Sequence, residues 1–308
     1  MNNHHRTENE HRLYAENGII EKRLTIALSI TGFIFVMELV GGFLSNSLAL
    51  KSDAGHLFGD VTALGLSLLA VRLSRLPPSS KRTFGYHRSE VLAAIINGTT
   101  LLFLSIYIFY KAYHRLMEPE PIKSDLMLVV AVIGFSANIF VLFKLRGHAS
   151  ENLNVRAAFL HVMGDMLASV GVVMGGVIML FTGNYIADPL ISFLVGVIIL
   201  IGAVGVLREG VNILLEGVPQ NIDYDELKKD IEFLADVKSI HDLHIWAISS
   251  SRFSLSAHIL VSSQSTHSSQ EILRETQKLL SDKYGISHVT LQFECECCPN
   301  EDCGCRCD

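Results

Sequence analysis

Val91-Leu-Ala-Ala-Ile-Ile-Asn-Gly-Thr-Thr-Leu-Leu-Phe-Leu-Ser-Ile-Tyr-Ile-Phe-Tyr110 contains no charged residue. An uncharged run of about 20 residues matches the hydrocarbon thickness of a bilayer, and a soluble domain rarely needs one. Two further runs, Leu126–Phe143 and Pro189–Leu207, are equally free of charge. Around them, apolar segments at 24–43, 48–71, 91–112, 124–143, 157–182 and 186–207 predict six membrane-spanning helices. Composition agrees: 49% of the 308 residues are hydrophobic and 18% charged. That balance excludes a soluble globule and a disordered chain.

The basic residues orient the spans. Arg72, Arg75, Lys81, Arg82 and Arg88 separate spans two and three, Lys144, Arg146 and Arg156 separate four and five, and Arg208 follows span six. The turns Ser45–Ser47 and Gly183–Tyr185 carry no basic residue. Both termini are therefore expected in the cytoplasm. The polar first 23 residues, with scattered acids, do not read as a cleavable signal peptide.

Charge divides the chain. Residues 1–208 hold 17 Lys/Arg against 14 Asp/Glu, whereas 209–308 hold 8 against 17. An acidic, apolar chain makes nucleic acid an unsuitable partner. After Glu216 the pattern becomes that of a small soluble domain. Asp223–Asp236 reads as a helix with Asp225 as candidate cap, Ser239–Ile248 as a strand, and Phe253–Val261 as an alternating strand. Ser268–Lys283 reads as a second helix and Ile286–Phe293 as a closing strand. The expected fold class is a membrane all-α six-helix domain followed by a cytoplasmic α+β domain of αββαβ order. Its expected limits are a cytoplasmic segment 1–22, a transmembrane domain 23–208, a cytoplasmic domain 209–294 and a Cys-rich tail 295–308.

Ionisable residues inside a span are functional candidates by default. Glu38 and Lys51 also fit an interface or a neighbouring helix. His56-Leu-Phe-Gly-Asp60 in span two and His161-Val-Met-Gly-Asp165 in span five repeat one pattern, once in each half of a three-plus-three arrangement. The four-residue spacing puts each His and Asp on one helical face. If the faces meet, His56, Asp60, His161 and Asp165 offer two imidazole nitrogens and two carboxylates around one point. That set suits tetrahedral zinc and also accepts cadmium or cobalt(II). Two carboxylates cancel the ion's charge. Asp53 lies on nearly the same face, either as a partner holding a histidine proton or as a cap of the span.

Five stretches in order resemble the motifs of the cation diffusion facilitators. They are Ser52-Asp-Ala-Gly-His-Leu-Phe-Gly-Asp60, Arg82-Thr-Phe-Gly-Tyr-His-Arg-Ser-Glu90, His161–Asp165, Leu214-Leu-Glu-Gly-Val-Pro219 and His241-Asp-Leu-His-Ile-Trp246. The resemblance runs from about Leu24 to Glu294 and is strongest to the zinc-type branch of bacterial efflux proteins and vesicular transporters. It implies proton-coupled zinc export by a homodimer in a lipid bilayer, with a metallochaperone-like cytoplasmic domain. Zinc would be substrate and regulatory ligand, and no organic cofactor is expected.

The resemblance also implies regulatory zinc at His241, His258 and Glu294. Gln292 stands where some bacterial relatives have another histidine. Cys295, Cys297, Cys298, Cys303, Cys305 and Cys307 crowd the tail. Cytosolic thiols stay reduced, so these cysteines point to metal binding rather than disulfides. Vesicular relatives pair a terminal cysteine motif with an N-terminal histidine segment, a part that His4, His5 and His11 could fill. His87 is either a ligand of a metal at the junction of the two domains, with His288 as nearest partner, or a hydrogen-bonding residue at the membrane edge.

An intramembrane hydrolase would need an open metal position and a general base such as the Glu of His-Glu-x-x-His. Neither is present, so no enzymatic activity is expected. A membrane-bound zinc sensor or store, acting through the cytoplasmic sites, is the alternative, but it has no need of the duplicated intramembrane pattern. The short third loop and the lack of a long His-rich loop between spans four and five favour a bacterial inner membrane over a vesicle.

Overall fold

The computed structural model describes residues 25–73, 79–146, 153–250, 252–262 and 266–294; within these, the side chains of 67, 70, 71, 141–146, 153–164, 167 and 266–268 are not described. The chain divides into two compact units. One is drawn from residues 1–76 and 93–207, and the other from 77–92 and 208–308.

The first unit is built on six long helices, α1 Thr25–Ser45, α2 Leu48–Leu73, α3 Arg88–Met117, α4 Ser124–Arg146, α5 Leu153–Thr182 and α6 Ala187–Leu214. Each coincides with an apolar segment of the sequence, and all six run past those segments at one end or both, α1 and α2 by two residues. Apolarity sets how much helix lipid can cover, whereas the helix itself continues until a turn residue stops it. Arg88 and Glu90 thus lie in the first turn of α3, and Arg208 within α6, rather than in loops. Among the described residues, α1, α3 and α6 are long and apolar enough to cross a membrane. In α2, Lys51, Asp53 and Asp60 break up the hydropathy.

Apolar side chains from α2, α4 and α5 form a shared core of Ala49, Leu50, Met127, Val130, Val172 and Met179. Ile108 of α3 packs with Val195 and Ile199 of α6. One polar network ties the helix ends. Asn46, at φ 58°, closes the α1–α2 turn in the left-handed region that asparagine tolerates. Ser47 caps α2, its Oγ accepting from Leu50 N–H at 3.1 Å. The fully buried Asp188 carboxylate accepts from Ser47 Oγ (2.5 Å), Leu48 N–H (2.8 Å), Ala49 N–H (3.0 Å) and Arg115 Nη1 (3.0 Å). Arg115 also donates to the Asn46 carbonyl (2.7 Å) and to Glu120 (2.9 Å). Breaking a buried pair from one side leaves an uncompensated charge, at a cost of about 3–5 kcal/mol. Asp188→Ala should therefore markedly lower the melting temperature of the detergent-purified protein, and an unchanged melting curve would show that the network contributes no net stability.

The second unit contains α7 Tyr224–Glu232, β1 Val237–Ser249, β2 Arg252–Val261, α8 Thr266–Tyr284 and β3 Ile286–Glu294, in the expected αββαβ order. The sheet order is β1-β2-β3, antiparallel between β1 and β2 and parallel between β2 and β3. The alternation of β2 is realised: Leu255, Ala257, Ile259 and Val261 are buried in a core with Leu227 and Ile231 of α7 and Ile272 and Leu280 of α8. The cap of α7 is Asp223, not Asp225. Asp223 has extended backbone, and its carboxylate accepts from Asp225 and Glu226 N–H. The helix also stops at Glu232, short of Asp236. Residues 79–92 belong with this unit, where Arg88 pairs with Glu216 at 2.9 Å and Glu90 accepts from Ser250 Oγ at 2.8 Å.

Candidate metal centres

In the first unit α2 meets α5 at His56, whose Nε2 lies 3.1 Å from Asp165 Oδ1. Ligand atoms of His56, Asp60 and Asp165 all fall within 4.8 Å of one another, and all three residues are half-buried. Donors grouped so closely could hold one ion, with small side-chain shifts bringing them to zinc's distance of about 2.0–2.2 Å. His161 is on α5, one turn before Asp165, but its side chain lies outside the described residues. The glycine before Asp60 has a visible purpose: a Cβ on Gly59 would come within 2.9 Å of Leu101 of α3. The motif thus combines candidate ligands on one helical face with close packing on another.

Asp53 is buried at 5% exposure, inside α2 rather than at its start. Ser47 and Asp188 already satisfy the N-terminal N–H groups, so capping falls away, and Asp53 lies within electrostatic range of His56. Lys51 folds back against α1, its Nζ 4.8 Å from the Phe43 ring centroid.

The second unit holds another cluster. Strand register sets His241 of β1 opposite His258 of β2, and Gln292 of β3 opposite His258. Glu294, two residues beyond Gln292, is then a diagonal neighbour on the same face. Its carboxylate lies 3.2 Å from His241 Nε2 and 3.0 Å from His258 Nδ1. Ligand atoms of the three fall within 4.8 Å of one another. Gln292 donates its Nε2–H to Glu294 at 2.7 Å, so it steadies the carboxylate. Two imidazoles and one carboxylate suit a zinc-like ion, which would cross-link all three strands. Asp242 follows His241 at φ 50°, at an irregularity in β1. This places its carboxylate 2.9 Å from His244 Nε2 and 3.6 Å from His258 Nε2, contacts that regular alternation does not predict.

His87 lines a cavity with Arg88, Glu216, His244 and Trp246. Burial and then the Arg252 guanidinium hold its pKa below the usual range and so favour the neutral, ligating form, against the opposing pull of Glu90. His288 instead packs edge-on against Phe84, with ring centroids 5.3 Å apart. Among the described residues neither histidine belongs to a cluster of three ligands. Cys295, Cys297, Cys298, Cys303, Cys305 and Cys307, with His4, His5 and His11, lie outside the described residues.

Comparisons with known proteins bear on both units. Residues 24–215 match the family described as cation efflux transmembrane domain, and 219–296 match that described as cation efflux protein, cytoplasmic domain. The metal cation efflux system protein CzcD of Cupriavidus metallidurans is 43% identical over 92% of this chain and 89% of its own. The cadmium, cobalt and zinc/H(+)-K(+) antiporter of Bacillus subtilis is 42% identical over 91% and 90%. The zinc transporter ZitB of Escherichia coli is 41% identical over 92% and 90%. With both units matched in order and relatives of this identity spanning nearly the whole length, the chain belongs to the cation efflux, or cation diffusion facilitator, family.

Proposed function

We propose that this protein exports zinc, and with it cadmium or cobalt(II), in exchange for protons by alternating access. The observation that carries the reading is the approach of His56 to Asp165, with Asp60 beside them: two copies of one motif on separate helices converge within reach of a single ion. His161 completes the set as the fourth ligand, and Asp53 orients His56. Two carboxylates neutralise the bound dication, which lowers the cost of holding it away from water. The names of the matched relatives support the metals and the antiport.

A metal-bound imidazole must be deprotonated, and an ordinary histidine titrates near pH 6.5. Near-neutral cytosol therefore favours loading, while a more acidic exterior lets protons displace the ion. His56 and His161 are the main proton carriers in this scheme. The chain crosses the membrane six times with both termini in the cytoplasm of a bacterial cell and works as a homodimer. Its parts are the cytoplasmic segment 1–22, transport domain 23–208, cytoplasmic domain 209–294 and tail 295–308. His241, His258 and Glu294 hold a regulatory zinc, the tail cysteines bind further soft metal, and His87 contributes at the junction. A sensor or store would not require the intramembrane cluster.

The test is zinc movement in sealed proteoliposomes with and without an imposed pH gradient. Protons driven one way should drive zinc the other, and zinc flow should shift internal pH. Zinc flux without any pH change would leave facilitated diffusion as the better account.

A further inference from the structure

Asn97 of α3 is 7% exposed, and its Nδ2–H donates to the carbonyl of Gly59 in α2 at 3.4 Å. Gly59 immediately precedes Asp60, one of the candidate ligands. The same face of α3 meets α2 twice more. A Cβ on Gly59 would stand 2.9 Å from Leu101, and one on Gly55 would stand 2.9 Å from Leu104. Gly55 and Gly59 lie one helical turn apart, as do Asn97, Leu101 and Leu104 in succession, so each set shares one face of its helix. Small residues at this spacing let two helix backbones approach closely inside a membrane, and a polar side chain bonded across the contact adds direction. His56 and Asp60 each follow one of these glycines, so the ligand face of α2 is turned by roughly 100° from the face that α3 holds. Helix α3 is itself anchored on its other side. Leu101 and Leu104 also pack against the core that Ile108 makes with Val195 and Ile199 of α6, and a Cβ on Gly98 would stand 3.1 Å from Leu207 of α6.

We propose that Asn97 is a positioning residue of the transport site: through the Gly59 carbonyl it fixes the rotation and height of α2 at the turn that carries Asp60. The inference rests on the transport reading above, which makes Asp60 a ligand, and it adds a residue from a helix that supplies no ligand. Leucine packing against the two glycines sets how closely α2 approaches α3, but hydrophobic contact is non-directional and leaves α2 free to slide or turn. A hydrogen bond to one backbone carbonyl has a preferred direction and so selects one register. Ligands have to be held within about 0.5 Å of their productive geometry by the groups around them. At 3.4 Å the Asn97 contact is long for an amide bond, so its removal costs little stability. A small displacement of Asp60, by contrast, weakens the hold on an ion directly. Asn97 therefore acts on metal affinity more than on folding.

The measurement is zinc flux against zinc concentration in sealed proteoliposomes of the full-length protein, with melting curves taken on the same preparations. Asn97→Leu keeps a side chain of similar size and removes the donor. It should melt as the wild type does and raise the KM for zinc by roughly 10–100-fold, the range that follows loss of an outer partner of a metal site, with a smaller effect on maximal flux. Asn97→Gln keeps an amide donor on a longer arm and should recover part of that loss. A wild-type KM in Asn97→Leu overturns the role of Asn97 and leaves the transport reading standing. So does a fall in flux that only follows a lowered melting temperature at unchanged KM, and so does equal impairment of the Leu and Gln variants. Wild-type flux in Asp165→Ala overturns the transport reading itself. Should the Leu variant fail to fold, Asn97→Ser, whose shorter side chain gives up the contact, carries the test with cobalt(II) in place of zinc. The visible absorption of bound cobalt(II) depends on its coordination geometry. The part of that absorption missing from Asp165→Ala belongs to the intramembrane site, and it should shift in Asn97→Ser. An unshifted spectrum overturns the assignment.

Discussion

Asp165→Ala should reduce zinc flux by more than the ~10–100-fold that follows loss of an outer partner of a metal site, because it removes a proposed ligand itself. On the proposed reading Asp165 contributes in two ways. Its Oδ1 lies 3.1 Å from His56 Nε2, so it would orient that imidazole as well as offer an oxygen to the ion. Without it, the remaining donors are His56, Asp60 and His161, and a bound dication keeps one uncompensated positive charge in a poorly hydrated place. Asp165→Asn separates the two contributions: it can keep a polar contact with the imidazole but not the charge. If neutralisation dominates, Asn is nearly as damaging as Ala; if orientation dominates, Asn recovers part of the flux. Zinc binding to His241, His258 and Glu294 should persist in both variants, which reports that the second unit is folded. Wild-type flux in purified Asp165→Ala would remove the basis of the transport site.

The pairing of α2 with α5 was legible because chemistry repeats in sequence: an imidazole and a carboxylate four residues apart, twice, leave few other reasons to exist inside a membrane. The cytoplasmic strands were legible for the same kind of reason, since Phe253–Val261 alternates without interruption. Long-range polar contacts were not. Arg115 and Asp188 sit 73 residues apart and form the buried link among three helix ends. From sequence, Arg115 reads as a residue at the edge of a loop, and Asp188 is one residue outside the uncharged run. The Asp188-Pro189 pair at a span's start was the available signal, since both residue types suit the first turn of a helix. Likewise Glu38 was visible as a charge in span one, but only the fold shows Gly134 beside it. The choice of Asp223 over Asp225 turned on backbone conformation, which residue type alone does not set.

His56→Asp should lower zinc affinity by roughly 10–100-fold, the range seen when the surroundings of a ligand set are disturbed, and raise the relative uptake of manganese. Imidazole nitrogen favours zinc and cadmium over harder ions; an added carboxylate oxygen narrows that preference. The change also alters charge. Two carboxylates balance a dication, whereas three leave the loaded site negative, which favours whichever ion can recruit water to a larger coordination shell. Aspartate is shorter than histidine, so loss of reach is a competing cause of weak zinc binding. His56→Glu restores length and keeps the hard oxygen. A shift toward manganese in both variants would assign selectivity to donor chemistry. Recovery of zinc preference in His56→Glu alone would assign it to geometry. Competition of manganese and cadmium against zinc uptake in proteoliposomes distinguishes the cases, and an unchanged metal order in both variants would place selectivity outside this cluster.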